Sequence, residues 1–211
     1  MSEGSPGARV RAVAAEVVDS VSSGGRSLDA ALAQYESTVR QEDKALLRML
    51  CYGSLRHHWQ IGDWLDRLLE RPLRRRDGPV RALLAVGLFQ LSATRIPDHA
   101  VVSSTVAAAR LLGRARHAGL VNAVLRRARR DRIFAVEPSN DEARWDHPRW
   151  FIDALRADWP DAWRDILAAN NERAPMWLRV NPRRGSVEAY RERLAREGIV
   201  AERQPGLPQA L

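Results

Sequence analysis

From residue 10 to residue 130 the apolar residues recur at intervals of three and four, and that period commits most of the chain to helices. Val10, Val13, Ala14, Val17, Val18 and Val21 fall on one helical stripe in spite of their β-branching. Gly24 and Gly25 stop this first helix, and Ser27 has the character of an N-cap for a second that contains Leu28, Ala31 and Leu32. The spacing returns in Leu47, Leu50, Cys51, Ser54 and Leu55, in Ile61, Trp64, Leu65, Leu68 and Leu69, and in Val80, Leu83, Leu84, Gly87, Leu88 and Leu91. Pro and Gly in "RPLRRRDGP" (71–79) and Pro in "TRIPDHA" (94–100) mark the turns between them. Helices over 101–112 and 120–130 complete about seven, and the short connections predict an antiparallel α-bundle.

Beyond residue 135 the pattern changes. "AVEPSNDEARWDHP" has the Pro, Ser, Asn and acidic content of a linker, and Pro148 suits the first turn of a new helix. Phe151, Ala154 and Leu155 give that helix an apolar side, and Pro160 introduces another lined by Trp163, Ile166 and Leu167. Asn170 and Asn171 then supply C-cap chemistry. Met176, Leu178 and Val180 alternate with Trp177, Arg179 and Asn181, a strand pattern that Pro182 ends. Ser186 caps a predicted helix to Glu197, Gly198 closes it, and "IVAER" reads as a second strand. Two short strands make a sheet with open edges, too small to stand alone. The expected organisation is a bundle over 6–135, a connection over 136–147 and a small, incomplete α/β domain over 148–211, interrupted partway through a longer protein.

Charge separates the same regions. Residues 1–135 carry 22 Lys and Arg against 13 Asp and Glu, whereas 136–211 carry 12 against 13, so the basic excess belongs to the bundle and fits a polyanionic partner. The stretch "RLLGRARHAGLVNAVLRRARRDR" (110–132) holds eight Arg and one Asp. On a wheel, Val121, Val124, Leu125 and Ala128 cluster, which leaves Arg126, Arg127 and Arg130 opposite and Arg129 on the flank. Arg9 and Arg11 form a second candidate at the start of the first helix, where backbone N–H groups favour a phosphate. "RRRD" (74–77) is a third, of lower weight because loop arginines are usually just solvated.

Other chemistry finds little support. Cys51 is the single thiol and has His57 and His58 nearby in sequence, but its place on an apolar stripe marks it as a core residue. One cysteine excludes an internal disulfide framework. The histidines lack HExxH or Cys-paired metal spacing, and neither GxGxxG after a strand nor GxxxxGK[ST] occurs, so no metal, nucleotide cofactor or catalytic residue is assigned. Trp177 is the one tryptophan whose position suits base stacking, the others being expected in packing roles. No signal-peptide-like or ~20-residue apolar run is present, and the expected setting is cytoplasmic.

Three longer stretches carry a resemblance. "EDKALLRMLCYGSLRHHWQIGDWLDRLL", "VRALLAVGLFQLSATRIPDHAVVSSTVAAAR" with "GLVNAVLRR", and "HPRWFIDALRADWPDAWRDILAANNERAPMWLRVNPRR" are similar, in this order, to the N-terminal half of the RsmB (Sun, Fmu) family of ribosomal RNA cytosine-C5 methyltransferases. The resemblance covers nearly the whole chain. It implies a NusB-like RNA-binding bundle, then an RRM-like α/β domain leading into a Rossmann-like domain that binds S-adenosylmethionine. In that family a cysteine thiolate attacks carbon 6 of the target cytosine. Its Pro-Cys motifs are not found here and Cys51 matches neither, so the chain alone is expected to be inactive and to bind no cofactor. The expected partners are ribosomal RNA and the protein's own methyltransferase domain, in a monomer. The competing expectation is a freestanding NusB-like adaptor of transcription antitermination.

Overall fold

The computed structural model describes residues 7–172 and 174–211. The expected start of the bundle at residue 6 lies outside them. The described residues form eleven α-helices: α1 (Ala8–Ser22), α2 (Leu28–Tyr35), α3 (Lys44–Arg56), α4 (His58–Leu68), α5 (Gly78–Ala93), α6 (Asp98–Leu111), α7 (Ala118–Arg130), α8 (Asp141–Trp145), α9 (Arg149–Asp158), α10 (Trp163–Asn171) and α11 (Val187–Arg196). None is long and apolar enough to cross a membrane. The contacts divide the chain into two compact units, residues 1–171 and 172–211.

The first unit contains the helical bundle the periodicity predicts, with α1 and α5 at its centre, and also takes in α8, expected within the connection, and α9 and α10, expected within the α/β domain. α1 packs on α3, α5 and α6, and α5 also packs on α3, α4, α6 and α7. Both central helices are apolar on nearly every side: α1 buries Ala8, Val10, Ala12, Val13, Ala14, Ala15, Val17 and Val18. A helix with no wet face belongs inside, and its neighbours take the amphipathic roles. Close approach depends on two glycines. A Cβ added at Gly53 in α3 would lie 1.9 Å from Phe89 Cζ, and one at Gly87 in α5 would lie 2.8 Å from Leu125 Cδ2. The Ser27 cap forms as expected, its hydroxyl accepting from Ala30 N at 3.3 Å, and α1 ends just before Gly24 and Gly25.

The segment with linker composition is an ordered connection. It contains α8, which lies on α4, and Asp146 follows in a left-handed conformation (φ 54°). Asp146 Oδ1 accepts from Gln60 N at 2.8 Å and Oδ2 lies 2.8 Å from His57 Nδ1, so a residue 86 positions away caps the start of α4. Arg67 also donates to the Glu137 carbonyl at 2.8 Å. Ile152, Trp163 and Leu167 make a small cluster flanked by Trp145, Phe151 and Leu155. Arg156 and Arg164 stack over the Trp163 ring at 4.3 and 4.4 Å.

The second unit corrects the strand expectation. Among the described residues there is no sheet. Leu178 exchanges backbone hydrogen bonds of 2.8 and 3.0 Å with Leu211, Val180 N donates to Gln209 O at 2.9 Å, and Arg179 and Ala210 form an isolated antiparallel bridge. The partner of the 176–181 run is therefore the tail "QPGLPQAL", not "IVAER", whose Val200 is 90% exposed. The cause is a missing core: among the described residues of this unit only Val187 and Leu211 are buried, and paired strands need a buried face to persist. The residue alternation survives only in part: Leu178 and Val180 are half-buried and Trp177 and Arg179 exposed, but Met176, expected on the inner side, is 75% exposed. The Ser186 cap of α11 also forms, accepting from Ala189 N at 3.1 Å.

Candidate nucleic-acid interface

The expected arginine face of α7 is present, but its members differ in availability. The helix buries Val121, Val124, Leu125 and Ala128, as the wheel predicts. Arg126 is exposed and donates to Asn122 Oδ1 at 3.0 Å. Arg130 is exposed and pairs with Asp131 at 3.0 Å; Arg129 pairs with Asp98 and stacks on Phe134 at 5.4 Å. The hydrogen bonds from Arg127, then Arg130, hold the Asp131 carboxyl below its usual range. Arg127 is half-buried and donates to the Leu68 carbonyl at 3.1 Å, closing the C-terminus of α4, so part of its role is structural. Between α7 and the first turn of α6, Arg126, Arg129 and Arg130 border a groove of about 500 Å³ with Asp98, His99 and Val102.

The pair at the start of α1 separates. Arg9 is exposed. Arg11 is a correction: it is 4% exposed, donates to the Gly7 carbonyl at 2.9 Å, and burial lowers its pKa against the nearby charge of Asp43. Its guanidinium faces inward because α1 is the central helix, so it is not on the surface where a phosphate binds. Three tryptophans expected in packing roles are also corrected. Trp59, Trp150 and Trp159 are 40%, 70% and 59% exposed, whereas Trp64 and Trp163 are buried.

The strongest concentration of positive charge is one the sequence divides. Arg114 donates to the Arg76 carbonyl at 3.3 Å, Arg116 reaches Asp77 Oδ1 at 3.4 Å, and His117 Nε2 lies 3.7 Å from the same oxygen. The 3-10 turns Arg75–Asp77 and Ala115–His117 are thereby joined, although they stand about forty residues apart. Arg74, Arg75, Arg76 and Arg116 are exposed and Arg114 half-exposed, while Asp77, which pairs with Arg116 and is the one acid paired with any of the five among the described residues, is buried. Five guanidiniums thus face outward around a single internal carboxylate. The α7 face, by contrast, sets four arginines against Asp98 and Asp131. The two patches lie at opposite ends of α7, about 20 Å apart at 1.5 Å per residue. Planar, always-charged forks in this density suit phosphate oxygens.

Cys51 is fully buried in the core, its Sγ 4.0 Å from the Ala14 carbonyl, and burial pushes the thiol up to about 12. A nucleophile needs the opposite environment.

The bundle, with its buried central helix, matches the NusB family model over residues 8–130; the chain belongs to that family. Residues 147–211 match the ferredoxin-like domain of RsmF/B-like methyltransferases. Together the two make this chain similar to the N-terminal region of ribosomal RNA small subunit methyltransferase B. It is 38% identical to that enzyme from Cronobacter sakazakii over 96% of this chain and 47% of the relative. It is 37% identical to the Klebsiella pneumoniae protein, again over 96% and 47%. The chain thus spans about half the length of these relatives. The crystal structure of PH0851 shares the fold, with a TM-score of 0.62 and 16% identity over 95% of this chain and 47% of that one.

Proposed function

We propose that this chain is the RNA-recognition portion of an S-adenosylmethionine-dependent 16S ribosomal RNA cytosine-C5 methyltransferase. The bundle positions the substrate through its phosphates, and the region over 148–211 connects to the catalytic domain that supplies cofactor and nucleophile. The observation that carries the reading is the joined patch of Arg74, Arg75, Arg76, Arg114 and Arg116, five outward cations on two turns. Contacts of this kind fix register and orientation and carry no sequence information themselves. Arg126, Arg129 and Arg130 extend the track along α7, and Arg9 adds a further exposed cation.

The competing reading is a freestanding RNA- and protein-binding adaptor of transcription, which the NusB-family match over more than half the chain favours. The match over 147–211 weighs against it. Ultraviolet crosslinking to 16S ribosomal RNA, followed by peptide mapping, tests the proposal. Crosslinks are expected within 71–79 and 110–132. Crosslinks confined to other peptides, or none at low salt, overturn it.

A further inference from the structure

Next to the joined arginine patch the bundle contains a recess that the phosphate track does not use. It lies between the end of α1, the start of α4 and the first turns of α5, and encloses about 180 Å³. Its inner wall is apolar, with Ile61 and Leu65 among its residues, while Asp19, His58 and Arg81 supply the polar part. The recess and the patch share one turn of backbone. A Cβ at Gly78 would fall 2.5 Å from Asp19 Oδ1, so this carboxylate rests against the first residue of α5, immediately after Asp77.

The polar groups are incompletely used. Asp19 Oδ1 accepts from Ser23 at 3.0 Å, and Oδ2 has no protein donor among the described residues. The Ser54 hydroxyl, also in the wall, is buried and has no protein partner there either. A buried hydroxyl without a partner is uncommon in a folded protein. Burial, then Arg81, lowers the pKa of His58, with Asp146 opposing, so its imidazole offers one donor and one acceptor near neutrality.

We propose that this recess receives one cytosine base, unstacked from the single-stranded RNA whose phosphates the adjoining arginines hold. The inference rests on the phosphate-binding reading above and concerns a recognition base, not the base to be methylated. Cavities of about 150 Å³ accept benzene, so the recess takes one six-membered ring with small substituents. A carboxylate accepts from the cytosine N4 amine, and the Arg81 guanidinium donates to the ring carbonyl. Uracil sets a carbonyl against the Asp19 carboxylate and is rejected, because two acceptors meet.

The test uses labelled nonamers of uridine in which the central nucleotide is cytidine, uridine or abasic, and two variants of the full chain. Gly62→Leu fills the recess: a Cβ there meets only Arg81 Nη2, at 3.8 Å, and leucine is the better helix former. Asp19→Asn keeps the shape and adds a donor. The wild type is expected to bind the cytidine oligomer about tenfold more tightly than the other two, the discrimination of one good base-edge contact. Gly62→Leu is expected to abolish the difference while retaining salt-sensitive binding, and Asp19→Asn to shift preference toward uridine. Equal wild-type affinity for all three oligomers, with salt-sensitive binding retained, overturns the base recess and leaves the phosphate reading intact. Absence of binding to any oligomer at low salt overturns both.

Discussion

Substitution of Asp146 separates two contributions that the structure places in one residue. Its carboxylate caps α4 through Gln60 N and meets His57 Nδ1, both at 2.8 Å, with the side chain 6% exposed. Its backbone occupies the left-handed region, which costs an ordinary side chain about 1 kcal/mol and asparagine or glycine less. Loss of an N-cap costs about 1 kcal/mol. Asp146→Asn keeps an acceptor for Gln60 and a tolerated backbone, and is expected to cost less than about 1 kcal/mol. Asp146→Gly loses the cap without the backbone penalty, at about 1 kcal/mol. Asp146→Ala loses the cap and retains the strain, at about 2 kcal/mol, which lowers a melting temperature by about 4–8 °C in a chain of this size. Urea midpoints of the three variants measure the order. If asparagine is as damaging as alanine, the contact of the carboxylate with His57 outweighs the cap; if all three equal wild type, Asp146 does not hold the 136–147 segment on the bundle.

Gly53→Ala places a methyl group 1.9 Å from the Phe89 ring, and the overpacking should destabilise the bundle by about 1–3 kcal/mol despite the improved helix propensity. Shortening the ring in Gly53→Ala/Phe89→Leu should recover part of that loss in the same denaturation assay. Cys51, with its thiol near 12, carries a thiolate fraction on the order of 0.0001 at pH 8, so it should react with a thiol reagent only as fast as the bundle opens. Rapid labelling of the native protein contradicts its place in the core. Burial raises the pKa of Glu16, against the opposing charge of Arg9. A carboxyl with a raised native pKa contributes most below its unfolded pKa and loses that contribution as pH rises through the native value. Glu16→Gln should therefore flatten the stability profile across the carboxylate range, and an unchanged profile refutes the assignment.

The helices were legible because burial imposes a period of three and four that needs no knowledge of partners. Val121, Val124, Leu125 and Ala128 face inward in α7 as their spacing dictates, and Ser27 and Ser186 cap because cap chemistry is local. Arg11 misled because only one stripe of α1 was weighed. The alanines at 8, 12 and 15 fill the other sides and signal a helix enclosed all round. The joined arginine patch could not be read from the chain, since it exists only where 114–117 folds back on 74–77. Asp146 escaped for the same reason: nothing local tells that an acid in a Pro-bordered segment caps a helix 86 residues earlier. The strand pattern at 176–181 placed Leu178 and Val180 inward but not Met176, and alternation specifies a face and not a partner, so the pairing fell to Gln209 and Leu211.

The central claim is that the arginine turns bind RNA through phosphates. The direct measurement is affinity for a single-stranded RNA across 50–200 mM salt, in the wild type and in Arg74→Glu/Arg75→Glu/Arg76→Glu. Four or five phosphate contacts predict a log–log slope of about −3 and a loss of roughly 60-fold over that range. The triple reversal should weaken binding for every sequence alike and make the slope shallower by about 2. A salt-independent affinity, or a reversal that leaves both affinity and slope unchanged, contradicts the account.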